Sequence, residues 1–378
     1  MLPLHMYQLS PSPIRRSKPF AAALMVLLML FSGGCGPSSA PHTDSGETSS
    51  EAAPLLTGPL TLALNWYAEA EHGGYIAAKE LGYYQKHGLD VVIQPGGPGA
   101  PVLVVQELAA GRIPFAVSSA DLVVLARSQG VDLVAVAAPL QQSPRCILVH
   151  QDSGIERLED LRDVELAISE TRPFALWMKK QLPLTNVRMI PYSGLVGEFL
   201  QRSDFAQQGF VFSEPFVARE NGGNPRVLMV SDIGFNPYDS VLVTTKRMIQ
   251  QQPDLVRKIV QASVQGWQSY LDDPRPVNER IHAANAEMSL KALAFGAEAM
   301  KPLCRTTDGI PLCGMTSDRW ETLVSQIESL GEIASGSVRA ADCFDVSFLA
   351  DAEPNTDEHE TSDNGESADT VPSPKSAP

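Results

Sequence analysis

From Pro59 onward the chain alternates short, nearly continuous apolar runs with stretches of helical spacing, and that order restricts the available folds more than any other feature. Strand "LTLALNW" leads to helix "HGGYIAAKEL" and strand "LDVVIQ"; after a glycine turn come helix "VLVVQELAAG", strand "PFAVS", helix "ADLVVLARSQG" and strand "VDLVAVAAP". A run such as "VDLVAVAAP" is apolar at successive positions, so both of its faces must be covered, and helices cover them in a parallel α/β sheet. A second set of the same units runs from "VELAIS" to "RVLMVS". "RCILVHQDSGIERLEDLRD" between the sets, and "SVLVTTKRMI" after them, read as two extended connections that together make a hinge. The expected fold is therefore α/β and two-lobed, each lobe a mainly parallel sheet flanked by helices. The chain then continues as helix from Pro253, with Leu255, Ile259, Ala262, Val264 and Trp267 near the spacing of one buried face.

The ends read differently. Arg15, Arg16 and Lys18 precede the uncharged run "FAAALMVLLMLF", the pattern of a secretory signal, and it ends in "SGGC", where small residues before Cys35 suit lipidation of that cysteine. Residues 1–35 are read as a lipoprotein signal peptide and residues 36–58, rich in Ser, Pro and Gly, as a tether. Residues 59–160 form the first part of lobe 1, residues 161–237 lobe 2, and residues 238–350 the return to lobe 1 with its C-terminal helices. Residues 351–378 carry eight acids and one lysine, and form an acidic tail. That tail supplies much of the net charge of −15, so the charge gives no support to nucleic-acid binding. The leader's run is itself short for a bilayer and is the only long apolar run, so no membrane-spanning bundle is expected.

Beyond Cys35 there are four cysteines: Cys146, Cys304, Cys313 and Cys343. Cys304 and Cys313 bracket the turn-rich "RTTDGIPL", short enough for a local disulfide in an oxidising compartment. With no CxxC or flanking histidine cluster, zinc is the weaker option, and no metal is expected.

In doubly wound folds ligands lie at the carboxyl ends of strands. Asn65 and Trp66 end the first strand, and His72 and Tyr75 share a face of the next helix. Two rings there could sandwich a flat heteroaromatic while Asn65 or His72 binds its ring nitrogens; the alternative is that Trp66 and Tyr75 fill the lobe's core. Ser118 and Ser119 end the third strand, placed to cap a helix or to offer hydroxyls to a cleft. Thr171 and Phe174 stand at the start of a helix in the second lobe. Glu214 ends an apolar strand before a proline, where a carboxylate suits an amino group on a ring or a cationic ligand; a surface glutamate is its alternative.

Together, "NWYAEAEHGGYIAAKELGYYQKHGLDV" and "GRIPFAVSSADLVVLARSQGVDLVAVAA" resemble the solute-binding proteins of ABC importers in the thiamine-pyrimidine-precursor group, related to sulfonate, taurine and nitrate binders. The resemblance runs from about Pro59 to Pro274. It implies a periplasmic-binding-protein-like clamshell of type II that closes on its ligand and docks on a membrane permease; with the leader and Cys35 the expected protein is exported, lipid-anchored and monomeric. It also implies that Trp66, His72, Tyr75, the serine pair and Glu214 line the cleft. The expected ligand is a small heteroaromatic such as a thiamine pyrimidine precursor; a flavin, or a sulfonate- or nitrate-type anion met by Arg145 and Arg172, is the alternative. Some relatives are pyrimidine synthases that use pyridoxal phosphate, but no lysine stands in the motifs where a Schiff base would form, so no enzyme activity and no cofactor are expected. Two departures stand out: Arg162-Asp163 in place of the usual Gly-Lys turn, and the cysteine loop "PLCRTTDGIPLC".

Overall fold

Ten strands of the described residues fall into two five-stranded sheets. The structure, a computed structural model, describes residues 58–97, 99–306 and 309–349. The signal, tether and acidic-tail readings, with Cys35, lie outside them.

The first sheet contains β1 (Leu60–Ala63), β2 (Val91–Gln94), β3 (Phe115–Ser118), β4 (Leu133–Ala137) and β10 (Val241–Thr245), in the order β2-β1-β3-β10-β4. The second contains β5 (Arg145–His150), β6 (Glu165–Ala167), β7 (Arg188–Ile190), β8 (Phe205–Phe210) and β9 (Pro225–Met229), in the order β7-β6-β8-β5-β9. In the first, β1 runs parallel to both neighbours, with Leu62 opposite Ile93 and Phe115, while β10 lies antiparallel between β3 and β4 with Val241 opposite Ser118. The second repeats the plan: β6 is parallel to β7 and β8, and β5 is antiparallel between β8 and β9, with Arg145 opposite Phe210.

Each sheet thus receives one antiparallel strand from the chain arriving out of the other. The runs "RCILVH" and "SVLVTT", expected as connections, are these inserted strands, because their apolar residues are buried as fully as those of their neighbours. The crossings are shorter and touch where Leu140 and Asp239 form an isolated antiparallel bridge. The first change of sheet consequently falls between β4 and β5, earlier than the residue 160 expected from the sequence.

Helices follow the strands in both halves: α1 (Gly73–Glu80), α2 (Tyr83–Lys86), α3 (Ala100–Ala109) and α4 (Ala120–Ser128) in the first; α5 (Pro173–Gln181), α6 (Gly197–Gln201) and α7 (Glu214–Glu220) in the second. After β10 come α8 (Lys246–Gln251), α9 (Pro253–Asp272), α10 (Arg275–Ala284), α11 (Leu290–Met300), α12 (Ser317–Ser329) and α13 (Ala340–Cys343). Pro253 opens α9, whose buried residues Val256, Ile259, Val260, Ser263, Trp267 and Tyr270 recur at three- and four-residue steps. Leu255 and Val264 pack only partly. Helix α9 lies directly on α1: a Cβ on Gly266 would stand 2.2 Å from the Gly74 carbonyl oxygen, and one on Gly74 would strike the Trp267 ring. The glycines of "HGGY" therefore permit a close helix contact, which offsets the roughly 1 kcal/mol that glycine costs in a helix. No helix among the described residues is long and apolar enough to cross a membrane.

Candidate functional site

The turn after β1 carries the densest polar chemistry. Asn65 and Trp66 leave the strand half-buried, and a short 3-10 turn, Ala70–His72, leads into α1. His72 is fully buried, with Nε2 2.8 Å from Asn65 Oδ1 and 3.2 Å from Glu71 Oε1. Burial drives its pKa from 6.5 down to about 3, so the ring is neutral. Since Asn65 Oδ1 can only accept, the proton is assigned to Nε2, and Nδ1 is a bare acceptor without a partner. The turn is fastened to the second crossing: Ser240 donates its hydroxyl to the Glu71 carbonyl at 2.7 Å, and Asp239 accepts from the Ser240 N–H at 3.1 Å.

Tyr75 belongs to that fastening rather than to a ligand surface. It is fully buried, donates to the Ser240 carbonyl at 2.6 Å, and meets Trp267 edge-on with centroids 5.6 Å apart. Trp66 meets Tyr67 instead, edge-on at 5.5 Å, and Tyr67 is exposed. The expected Trp66–Tyr75 sandwich is not formed, because α9 claims Tyr75 for the core.

Ser118 and Ser119 lie at the end of β3, where β3 meets β10. Ser118 is fully buried and its hydroxyl has no partner. Ser119 precedes α4 without capping its backbone; its hydroxyl bonds the Asp121 carboxylate instead. Burial opposes ionisation of Asp121, but Arg172, Arg145 and that hydroxyl outweigh it and hold the carboxyl below its ordinary range. Both arginines belong to the part of the chain that forms the second sheet and its helices. Arg145, the first residue of β5, has its guanidinium over the rings of Phe174 and Phe210, at 4.8 and 5.0 Å. Phe174 is thus a buried platform at the start of α5, whereas Thr171 is exposed.

Glu214 opens α7 just after β8. Its Oε1 accepts from the Tyr192 hydroxyl at 2.6 Å and its Oε2 from the Phe210 N–H at 2.7 Å, yet burial still raises its pKa. Two acids of the first-half turn face it. Glu69 is pushed up to about 8 by burial and then by Glu214, and Glu71 rises by burial, Glu69 and Asp239. Asp239 rises to about 6, chiefly through burial. Sequence reasoning missed Tyr192, Glu69, Glu71 and Asp239 as site residues; the signal for the first-half pair was the "EAEH" run at a strand end inside otherwise apolar sequence.

Buried polar atoms without partners gather here from both halves: Glu71 Oε2, His72 Nδ1, Ser118 Oγ, Asp121 Oδ2, Arg145 Nε and Asp239 Oδ2. Each such group costs about 1–3 kcal/mol in a protein interior, so their convergence at the strand ends marks a surface equipped to bond something other than its own chain. Two cavities of about 290 and 260 Å³ lie elsewhere, both lined by Thr316 and Arg319, and share none of these groups. The strand-end cluster holds the chemistry and is the candidate site.

The four cysteines are buried free thiols, so the expected Cys304–Cys313 disulfide is absent. The two cysteine positions are anchored to the first crossing without it: the Ala138 N–H donates to the Cys313 carbonyl at 2.8 Å, and the Gln141 N–H to the carbonyl of Leu303, next to Cys304, at 2.7 Å.

Two mixed sheets that exchange one strand each, with polar groups from both at their junction, define the two-lobed periplasmic-binding-protein fold. The periplasmic aliphatic sulphonate binding protein SsuA from Escherichia coli shares the fold, with a TM-score of 0.59 at 14% identity over 84% of this chain and 98% of its own. Within that class, residues 69–276, more than half of the chain, match the family described as NMT1/THI5 like, and the chain belongs to it. It is 22% identical over 332 residues to the formylaminopyrimidine-binding protein of Halalkalibacterium halodurans, covering 82% of this chain and 94% of that protein. It is 24% identical over 266 residues to the riboflavin-binding protein RibY of Chloroflexus aurantiacus, covering 66% of this chain and 73% of that one.

Proposed function

We propose that this chain is the extracytoplasmic solute-binding component of an ABC importer, and that it captures a small amino-bearing heteroaromatic, such as a thiamine pyrimidine precursor, by lobe closure. The observation that carries this reading is Glu214, fixed by Tyr192 and the Phe210 N–H in one lobe and facing the Asn65–His72 turn of the other. A carboxylate so held presents a directed acceptor to an exocyclic amino group. Asn65 and Trp66 then supply a polar edge and a ring face from the opposite lobe. Binding to both lobes favours the closed form, and no chemical step is required. The names of the two curated relatives, both binding proteins, support a receptor over an enzyme. A lipid anchor at Cys35, a monomeric state and a partner permease belong to the same reading.

Arg145 and Arg172 favour a second reading, a sulfonate- or nitrate-type anion. Both guanidiniums already face Asp121, which weighs against an added anion. A thermal-shift series with aminopyrimidines, riboflavin, alkanesulfonates and nitrate separates the two. Saturation at a hundredfold over Kd adds about 2.7 kcal/mol to the folded form. Aminopyrimidines are expected to raise the melting point; stabilisation by sulfonates or nitrate alone would establish the second reading.

A further inference from the structure

Glu69 and Glu71 have no role in the reading above, yet they are 6% and 2% exposed. The carboxyl of Glu69 accepts no hydrogen bond among the described residues, and Glu71 Oε2 has no partner. Helix α11 brings their turn to the turn that carries Glu214. A Cβ on Gly296 would lie 2.8 Å from Ala70 Cβ and 3.2 Å from the Phe212 carbonyl oxygen. Ala70 separates the two glutamates, and Phe212 precedes Glu214 by two residues, so one helical position touches both turns. The neighbouring Phe295 packs on Phe216 with centroids 5.2 Å apart, holding α11 against α7.

We infer that Glu69 and Glu71 from one lobe and Glu214 from the other form a three-carboxyl subsite for the cationic or amidine-like edge of the ligand, a ring nitrogen flanked by an exocyclic amino group. The inference rests on the proposed receptor function and narrows its ligand class. A buried carboxyl needs hydrogen-bond donors, a counter-charge or a proton, and the surroundings supply little of the first two. Asp239 on the second crossing adds a fourth acid. Arg145 on β5 is the cation acting on Glu71, while His72 is neutral; Tyr192 donates only to Glu214, and Cys146 and Tyr270 bring no positive charge. A ligand edge with two or more N–H donors and a positive charge supplies both missing elements, whereas an oxo-substituted ring or an anion supplies neither. With Glu69 near a pKa of about 8, the empty site holds a proton at neutral pH that a cationic ligand displaces.

The test titrates wild type, Glu69→Gln and Glu71→Gln with 4-amino-5-hydroxymethyl-2-methylpyrimidine and with its 4-oxo counterpart. Wild type is expected to prefer the amino compound by roughly tenfold or more, since sites built to bond a polar group reject analogues that lack it, and each variant should shrink that ratio to roughly threefold or less. Unchanged ratios in both variants overturn the inference. Wild type gives a second readout that needs no substitution: a permanently charged 1-methyl-4-aminopyrimidinium probe at pH 7 should release one or more protons on binding, read from the dependence of binding heat on buffer ionisation heat. No release overturns the inference. Equal binding of the amino and oxo compounds also overturns it while leaving the receptor function standing; binding of neither removes both.

Discussion

The Tyr192 hydroxyl donates to Glu214 Oε1 at 2.6 Å, from the loop after β7 to the first residue of α7. The bond turns an acid at a strand end into an oriented acceptor, and it opposes the rise in pKa that burial causes. Tyr192→Phe removes the donor while preserving the ring. The expected outcome is a loss of roughly ten- to a hundredfold in affinity for an aminopyrimidine, from about 1.5–3 kcal/mol for a hydrogen bond to a charged group, with a lower melting point as well because Glu214 Oε1 is left buried without its donor. Calorimetric titration checks it.

Tyr75 and Trp66 should separate cleanly. Tyr75→Phe deletes the bond to the Ser240 carbonyl inside the core, and is expected to cost about 1–2 kcal/mol of stability in urea unfolding with affinity unchanged. Trp66→Ala should do the reverse, lowering affinity with little effect on unfolding, because its ring is only half-buried. A Tyr75→Phe variant that folds normally but loses ligand would return Tyr75 to the binding surface.

Gly296→Val places branched carbon where α11 meets Ala70 and the Phe212 carbonyl oxygen. A few tenths of an ångström of adjustment cannot relieve the 2.8 Å contact with Ala70, so α11 is displaced from the turn of its own lobe and its 3.2 Å approach to Phe212 in the other lobe is lost with it. The expected outcome is at least roughly tenfold weaker ligand binding and a larger radius of gyration by small-angle scattering with ligand present. Unchanged scattering and affinity would show that α11 does not hold the two turns together.

Stability should fall as pH rises above neutrality. Glu69 has its pKa raised from 4.5 to about 8, so through that window the folded chain keeps a proton that the unfolded chain releases, and stability drops with rising pH. His72 works in the opposite sense: with its pKa lowered from 6.5 to about 3, the folded chain refuses a proton that the unfolded chain takes up, and stability drops as pH falls through that window. Asp239, raised from 3.8 to about 6, adds to the trend set by Glu69 below pH 6. Between pH 6.5 and 8, where neither of them titrates, Glu69 acts together with Glu71, whose pKa burial also raises, each with a slope of up to about 1.4 kcal/mol per pH unit. Urea titrations of the ligand-free chain across that interval should show the decline, and Glu69→Gln should make it shallower.

The alternation of strands and helices was legible because a strand buried on both faces must be apolar throughout, and the lobed α/β plan follows from that order. What the spacing could not show was the exchange of β5 and β10 between sheets. A buried antiparallel strand is as apolar as a parallel one, and "RCILVH" and "SVLVTT" carry no mark of direction. Glu214 was legible as a lone carboxylate between an apolar strand and a proline. Its partner Tyr192 was not, since the two meet only when the loop after β7 folds across α7. Tyr75 was misplaced for a related reason: three-residue spacing from His72 puts both on one helical face, but the identity of that face depends on α9, almost two hundred residues further along the chain.

The most direct measurement of ligand capture between the lobes is a side-by-side calorimetric titration of the folded chain with 4-amino-5-hydroxymethyl-2-methylpyrimidine and with ethanesulfonate. One-to-one binding of the pyrimidine at micromolar Kd or tighter, with a negative heat-capacity change and no sulfonate signal, is the predicted result. Binding of the sulfonate with no response to the pyrimidine would contradict it.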